Sequence, residues 1–256
     1  MSRIALVQTT ATEDFQANLG FALEQLGAAV AGGAALVAFP EVFLYVGGKE
    51  GKLNHALTLD GEVVARFRAE AQRHRVWILL GSIHERIPGR ADKVHNTSVL
   101  IGPDGALAGI YRKRNLFDVD LPGQRILESD SIVPGDQPAP VVHTDLGAVG
   151  LTICFDLRFP GLYRQLRRDG AQIVFAPSNF TVPTGAAHWE TLLRARATGP
   201  TQSQVPLLRP YGPGRSLGQH HRPRPRQDRH HLRRNRLGLS GAGAETGADA
   251  GGGVGV

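Results

Sequence analysis

The sequence predicts an α/β fold of the layered α+β kind, and three observations carry that prediction. Short apolar runs of strand length alternate with segments whose apolar residues recur at helical spacing, the pattern of sheets covered by helices. Turn signals at Pro103-Asp104-Gly105 and Leu146-Gly147 join neighbouring strands directly, so antiparallel pairs are mixed with strand–helix units. At 256 residues, with 41% hydrophobic and 20% charged, the chain has the composition of one globular domain with a sizeable core.

The elements follow in order. Residues 4–7 form a short apolar strand. Phe15, Leu19, Leu23, Leu26 and Val30 share one helical face, and Gly32-Gly33 ends that helix. Residues 35–39 are a buried strand closed by Pro40, and a looser stretch runs to the Asp60-Gly61 turn. Val64, Phe67 and Ala71 mark a second helix. Strands at 76–80, 97–101 and 106–112 come next, the last two forming a hairpin about the turn at 103–105. After a long loop, strands at 141–143 and 148–154 flank Leu146-Gly147. A helix at 162–168 then leads to a strand at 173–176 and an amphipathic helix at 188–197.

A formal net charge of +6 and a pI near 10 suggest an anionic partner such as nucleic acid. The position of the charge removes that inference for the body of the protein. Residues 198–256 hold nine Arg, no Lys, two Asp and one Glu, which accounts for the whole excess and leaves residues 1–197 neutral. The single cysteine excludes an intramolecular disulfide framework, and MSRIALVQTT lacks the pattern of a signal peptide. No apolar run approaches the roughly 20 residues of a membrane span. The expected location is the cytoplasm, with no membrane partner.

Three polar residues stand just past predicted strands, where open α/β sheets gather their chemistry. Cys154 ends the apolar run AVGLTIC. A lone cysteine there is either a buried small apolar residue or a nucleophile, and Asp156 and Arg158 two and four residues on favour the second. Glu41 follows ALVAFP and reads either as an exposed loop carboxylate or as a partner for a thiol. Lys113 lies in GIYRKRN, where Arg112 and Arg114 equally describe a solvated basic turn. The segment GGKEGKL at 47–53 is one residue short of a phosphate-binding loop and has Leu53 where the magnesium-binding hydroxyl belongs, so it is not read as a nucleotide site. His220-His221 and His230-His231 lack the cysteine or acidic neighbours of a metal site. No metal and no cofactor are expected.

Taken together, AFPE, YRK followed by LFDVDLPG, and GLTICFDLRFP resemble the Glu-Lys-Cys signature of the nitrilase superfamily, the carbon–nitrogen hydrolases. The resemblance spans about residues 3–197, with the three motifs in family order. GSIHER, HNTSVLIGPDG, LESDSIVPGD, FAPSNF and GAAHWETLLRARA resemble its Nit branch, which includes deaminated-glutathione amidases and ω-amidases.

The resemblance implies a four-layer αββα sandwich of the nitrilase type. It also implies an amidase acting on C–N bonds other than peptide bonds. A small carboxylated amide, deaminated-glutathione-like or an α-keto amide, would be hydrolysed to acid and ammonia through a cysteine thioester. Glu41 would be the general base, Cys154 the nucleophile and Lys113 the oxyanion stabiliser, helped by backbone N–H groups near Phe155. Glu128, in LESD, matches the family's second glutamate beside the lysine, a loop carboxylate being its alternative. Asn179 and Phe180 fall where the family lines its pocket. Arg158 or Arg112 would meet a substrate carboxylate and Tyr45 would shape specificity, although purely structural roles also fit these residues.

Residues 1–197 are thus expected to form a C-terminally incomplete carbon–nitrogen hydrolase domain, and residues 198–256 a low-complexity basic tail of weak order. Family members continue after LLRARA with strands that complete the sandwich and its dimer contacts, and Thr198-Gly199-Pro200 departs from that pattern, so those strands are expected to be missing or disordered. Three readings follow. The first is an amidase for a small-molecule substrate, homodimeric if its C-terminus were intact. The second is an inactive or unstable truncated or frameshifted relative. The third, from the clustered Arg, is a nucleic-acid-binding arm. The tail's Arg, Pro, Gly and Ala, without Lys, are what a GC-rich gene yields out of frame. Resequencing checks this: an intact reading frame just past the codon for Ala197 or Thr198 is the expected result, and its absence removes the frameshift.

Overall fold

Successive residues of a strand face opposite sides of a sheet, so an apolar strand needs a cover on each face. In the computed structural model, which describes residues 2–121 and 124–197, two sheets cover one another. The first half of the chain forms β1 (Arg3–Leu6), α1 (Phe15–Ala31), β2 (Ala34–Ala38), α2 (Lys49–Asn54), α3 (Glu62–His74), β3 (Trp77–Arg86), β4 (Val94–Ile101) and β5 (Leu107–Arg112). Then come β6 (Asp118–Leu121), β7 (Gln124–Leu127), β8 (Val141–Thr144), β9 (Gly147–Leu151), α4 (Pro160–Arg168), β10 (Ile173–Phe175) and α5 (Val182–Ala197). Short 3-10 helices occupy Glu128–Asp130 and Cys154–Arg158. The basic tail, the expected C-terminal strands and the two histidine pairs lie outside the described residues.

The large sheet has the order β1-β2-β3-β4-β5, parallel through β3 and antiparallel thereafter; the smaller one has the order β10-β9-β8. Alternation along the strands sorts side chains into two cores. Val37, Ile78, Leu80, Val99 and Ile101 pack with Leu19, Ala22 and Leu26 of α1 and Val64, Phe67 and Ala71 of α3. Their neighbours Leu36, Ala38, Leu79, Leu100 and Tyr111 face the other way and meet Val149, Leu151 and Phe175 of the second sheet. Each such fully buried side chain contributes roughly 1.5–3 kcal/mol relative to exposure, so this two-sided burial, and not helix propensity, holds the layers together.

On the far face of the second sheet, Leu157, Tyr163, Ala176, Trp189 and Leu193 form a further cluster under α4 and α5. Gly150 of β9 makes that approach possible, since a Cβ there would lie 3.2 Å from Leu166. The four layers, α1/α3, large sheet, small sheet and α4/α5, are an αββα sandwich. Among the described residues no helix is long and apolar enough to cross a membrane.

Six elements differ from the sequence reading. β3 runs on to Arg86 and β4 begins at Val94, because Ser82, His84, Glu85 and Asn96 are polar strand residues that break the apolar pattern yet are buried. α2 forms within the stretch read as loose, and the β6–β7 hairpin divides the expected long loop. α5 starts at Val182, six residues early. Pro183 and Gly185 lower its apparent propensity, but a proline is tolerated in a first helical turn, and the Gly185 N–H donates to Thr181 O at 2.8 Å.

Between Leu80 and Ile83 the β3–β4 register shifts, so Gly81 and Ser82 form a bulge beside the end of β2. Ser82 N–H donates to Pro40 O at 3.2 Å, and Val42 N–H donates to Ser82 Oγ at 3.0 Å, so the bulge holds both sides of Glu41. A Cβ on Gly81 would lie 1.9 Å from Phe39 O and 2.5 Å from Pro40 O, both unyielding backbone. Gly81→Ala is therefore expected to cost at least about 1–3 kcal/mol of stability and to displace Glu41. Urea denaturation checks this, and an unchanged midpoint would contradict it.

Candidate active site

Two reversals of direction, at β4 and again at β5, return β5 to the orientation of β2. The carboxyl ends of both strands therefore open on one edge of the large sheet, and Glu41 and Lys113 follow those two ends. β9 and β10 of the facing sheet end nearby and deliver Cys154 and Asn179. Glu41, Lys113 and Cys154 are all buried, with 6%, 2% and 8% of their surfaces exposed. The solvated-turn and exposed-loop readings of the lysine and the glutamate thus do not describe this structure.

Lys113 Nζ donates to Glu41 Oε1 at 3.0 Å and to both Glu128 oxygens at 3.0 and 2.9 Å. Asn96 Nδ2 bridges the same two carboxylates at 3.0 and 3.1 Å. The Asn179 backbone N–H donates to Glu41 Oε2 at 2.7 Å, and the Phe117 N–H donates to Glu128 Oε2 at 2.7 Å. A buried ammonium is tolerable only when paired in this way.

Burial on its own would push the Glu41 carboxyl up. The Lys113 ammonium and hydrogen bonds from the Cys154 thiol, Lys113 and the Asn179 N–H more than offset it, and Glu41 is held below the usual carboxylate range. Burial and the adjacent Glu41 charge push the Cys154 thiol well above its ordinary value, against the opposing pull of Lys113. Burial disfavours the Lys113 charge, but Glu41, Cys154 and Glu128 outweigh it and raise the ammonium pKa. The resting site is a carboxylate, a thiol and an ammonium in contact.

The local backbone is strained at two points. Cys154 has φ +48° and Val42, just after Glu41, has φ +46°, both in the left-handed region that non-glycine residues rarely adopt. Cys154 is held there by its N–H donating to Pro177 O at 2.9 Å and by the buried Asp156 two residues on. Asp156 accepts the Ile153 N–H at 2.9 Å, the Tyr111 hydroxyl at 2.8 Å and the Asn115 side chain at 2.7 Å. Tyr111 and Asn115 flank Lys113 by two residues on either side, so this one carboxylate ties the lysine segment to the cysteine turn.

These residues line a cavity of about 260 Å³. Glu128, Asn179, Phe180, Arg158 and Tyr45 all border it alongside Glu41, Lys113 and Cys154. Arg158 lies over the Phe155 and Phe180 rings at 4.9 and 5.1 Å, and its Nη2 meets His188 Nδ1 at 3.0 Å. Arg112 is not at the cavity. It forms a two-pronged ion pair with Glu85 at 2.6 and 2.7 Å, so the expectation that it meets a substrate carboxylate is corrected. Among the described residues no group of three or more His, Cys, Asp or Glu side chains has metal-binding geometry.

Asn96, Lys52 and His84 are among the lining residues that sequence reasoning missed. Asn96 stood in a segment quoted for its resemblance and as a formal glycosylation sequon, and its signal was a run of four polar residues, His95 to Ser98, inside a strand. Lys52 was set aside with the phosphate-loop lookalike. His84, held neutral mainly by burial and then by Lys52, with its pKa pushed down to about 3, had no sequence signal.

Comparison with known proteins fits this geometry. The carbon-nitrogen hydrolase family profile matches residues 3–209. A deaminated glutathione amidase of Synechocystis sp. is 41% identical over 195 residues, 75% of this chain and 72% of the relative. The Caenorhabditis elegans nitrilase and fragile histidine triad fusion protein NitFhit is 39% identical over 196 residues, 76% of this chain but 44% of the fusion. The NitFhit crystal structure superposes with a TM-score of 0.72 at 38% identity, covering 77% of this chain and 49% of that one. An amidase from Nesterenkonia sp. AN1, a glutamate-to-glutamine mutant showing Michael addition of acrylamide at its active-site cysteine, superposes at 0.64 with 26% identity over 77% of this chain and 74% of its own. The buried glutamate, lysine and cysteine thus sit in a sandwich shared with these proteins, and the chain belongs to the carbon-nitrogen hydrolase family.

Proposed function

We propose that residues 1–197 hydrolyse a small carboxylated amide, of the deaminated-glutathione or α-keto amide kind, through a thioester on Cys154. One observation carries the reading: the Glu41 carboxylate accepts from the Lys113 ammonium at 3.0 Å and from the Asn179 backbone N–H at 2.7 Å in the cavity that Cys154 also lines. The names of the amidase relatives and the cysteine adduct of the Nesterenkonia enzyme support it.

The high thiol pKa means that sulfur does not ionise beforehand. The proton passes to Glu41 as the S–C bond forms, and negative charge moves onto the carbonyl oxygen, where the fixed Lys113 ammonium and the Phe155 backbone N–H receive it. Collapse of the tetrahedral adduct breaks the C–N bond, and the nitrogen leaves as ammonia or amine with the proton from Glu41. Water then gives a proton back to the Glu41 carboxylate while attacking the thioester, and the acid departs as the thiol is restored. Glu128 and Asn96 fix the ammonium in place. Arg158, backed by two aromatic rings, binds a substrate carboxylate on the acyl side, and Asn179 and Phe180 wall the pocket.

Cys154→Ala is expected to lower amide turnover by at least about 10⁴-fold. Intact-protein mass spectrometry of wild type quenched during turnover is expected to show one acyl group on Cys154; undiminished release of ammonia or amine by the variant would sink the mechanism.

The pH profile follows from the shifts. Glu41 works as a carboxylate with its pKa below the ordinary 4.5, Cys154 enters as a thiol with its pKa above 9.0, and Lys113 keeps its proton beyond 10.5. Activity is therefore lost only as pH falls below 4.5 or rises above 9.0, with a plateau of kcat/KM between. An acid limb near neutrality in a pH–rate series would contradict this assignment.

A further inference from the structure

The Cys154 turn and the Lys113 segment follow strands of different sheets, yet one side chain joins them. Among the described residues, every hydrogen bond between residues 111–115 and residues 153–158 ends on Asp156. Its Oδ2 accepts the Tyr111 hydroxyl at 2.8 Å and the Ile153 N–H at 2.9 Å. Its Oδ1 accepts the Asn115 side-chain amide at 2.7 Å and the Asn115 backbone N–H at 3.3 Å. Asp156 is fully buried, enters no ion pair among the described residues and does not line the cavity.

A buried carboxylate without a counter-ion is costly and is kept only where donors satisfy it. Here two of the donors are backbone N–H groups, one facing each oxygen. A backbone N–H can only donate, so an asparagine turned either way would aim its NH2 at a donor, and the position requires an acceptor-only group. An apolar replacement would leave the same donors unpaired. These bonds also define geometry. Ile153 immediately precedes Cys154, which is held at φ +48°, and Tyr111 and Asn115 lie two residues before and two after Lys113. Tyr111, Ile153 and Cys154 share one apolar cluster as well, but packing of that kind is non-directional and sets no register between the two segments.

We propose that Asp156 is a positioning residue for the reaction, holding the Cys154 sulfur and the Lys113 ammonium at the separation that attack on a single carbonyl requires. This rests on the amidase reading above and adds to it a residue outside the cavity. Sulfur must meet the carbonyl carbon while the ammonium meets its oxygen, and misplacement by about 1 Å costs on the order of 10²-fold in rate. Capture of the substrate does not depend on that separation, so the role shows in kcat and not in KM.

Ammonia release from glutaramate by the full-length protein tests this. In Asp156→Asn, kcat is expected to fall about 10²-fold while KM stays within about threefold of wild type. Tyr111→Phe and Asn115→Ala keep the carboxylate and remove one donor each; both are expected to lower kcat about tenfold, and they carry the test if Asp156→Asn does not fold. Leu26→Ala, in the core under α1, is the control for stability, with a lower urea midpoint and an unchanged kcat. Unchanged kcat in the folded variants, a rise in KM in its place, or an equal loss of kcat in Leu26→Ala overturns the inference. Methyl vinyl ketone reports the same geometry without hydrolysis. The Cys154 sulfur adds to its terminal carbon, charge passes to the ketone oxygen beside Lys113, the proton ends on the α-carbon and nothing leaves. Intact-protein mass spectrometry follows the adduct on the chain's single cysteine. If wild type releases no ammonia while Asp156→Asn still slows this addition about tenfold, the amidase reading fails and the positioning role stands. Ammonia release with no dependence on Asp156 does the reverse.

Discussion

A buried lysine ammonium shared between two glutamates is the interaction on which the site depends. Removing an ammonium from water costs several kcal/mol, and the pairing recovers it only while both carboxylates stay in place. Lys113 follows β5, Glu41 follows β2 and Glu128 follows the β6–β7 hairpin, so one charge cluster locks three separate parts of the chain to each other. Asn96 reinforces the same lock from β4 by donating to both carboxylates. The cluster contributes little net stability for its size. It defines where the polar groups must lie, and the surrounding apolar layers supply the stability.

The sandwich is shaped to hold that cluster under strain. A glycine bulge in β3 wraps the end of β2, and the residues at Val42 and Cys154 accept left-handed backbone conformations on either side of the sheet interface. Such conformations persist only where the neighbours over-determine them. Here the neighbours are Ser82 on one side and Asp156 with Pro177 on the other. The thiol is thus presented to Glu41 by geometry set before any substrate arrives.

Much of this was legible in the sequence, for a physical reason. Glu41, Lys113 and Cys154 each follow an apolar run, and apolar runs announce strands, so a polar residue at the end of one stands out. The strand residues that themselves border or support the site were hidden by the same logic. Ser82, His84, Glu85 and Asn96 interrupt the apolar alternation of β3 and β4, and the sequence reading ended those strands where the site begins. Arg112 and Lys113 were indistinguishable as adjacent cations until Glu85 claimed the first. Lys52 was unreadable because its placement depends on a close contact of Gly47 and Gly51 with Tyr45, which no periodicity records.

The contact between the Tyr111 hydroxyl and Asp156 has a wider meaning in this light. Three consecutive cations, Arg112, Lys113 and Arg114, stand at and just past the end of β5, and a strand that slid by one position would present a different one to the glutamates. Only one of the three has a compact charge suited to lie between two buried carboxylates. Tyr111 is large, fully buried between the sheets and latched to the turn that carries Cys154, so it admits a single setting of the strand. It works as a tooth in a ratchet, and the cation that meets the two glutamates is chosen by the seating of a residue that does not line the cavity.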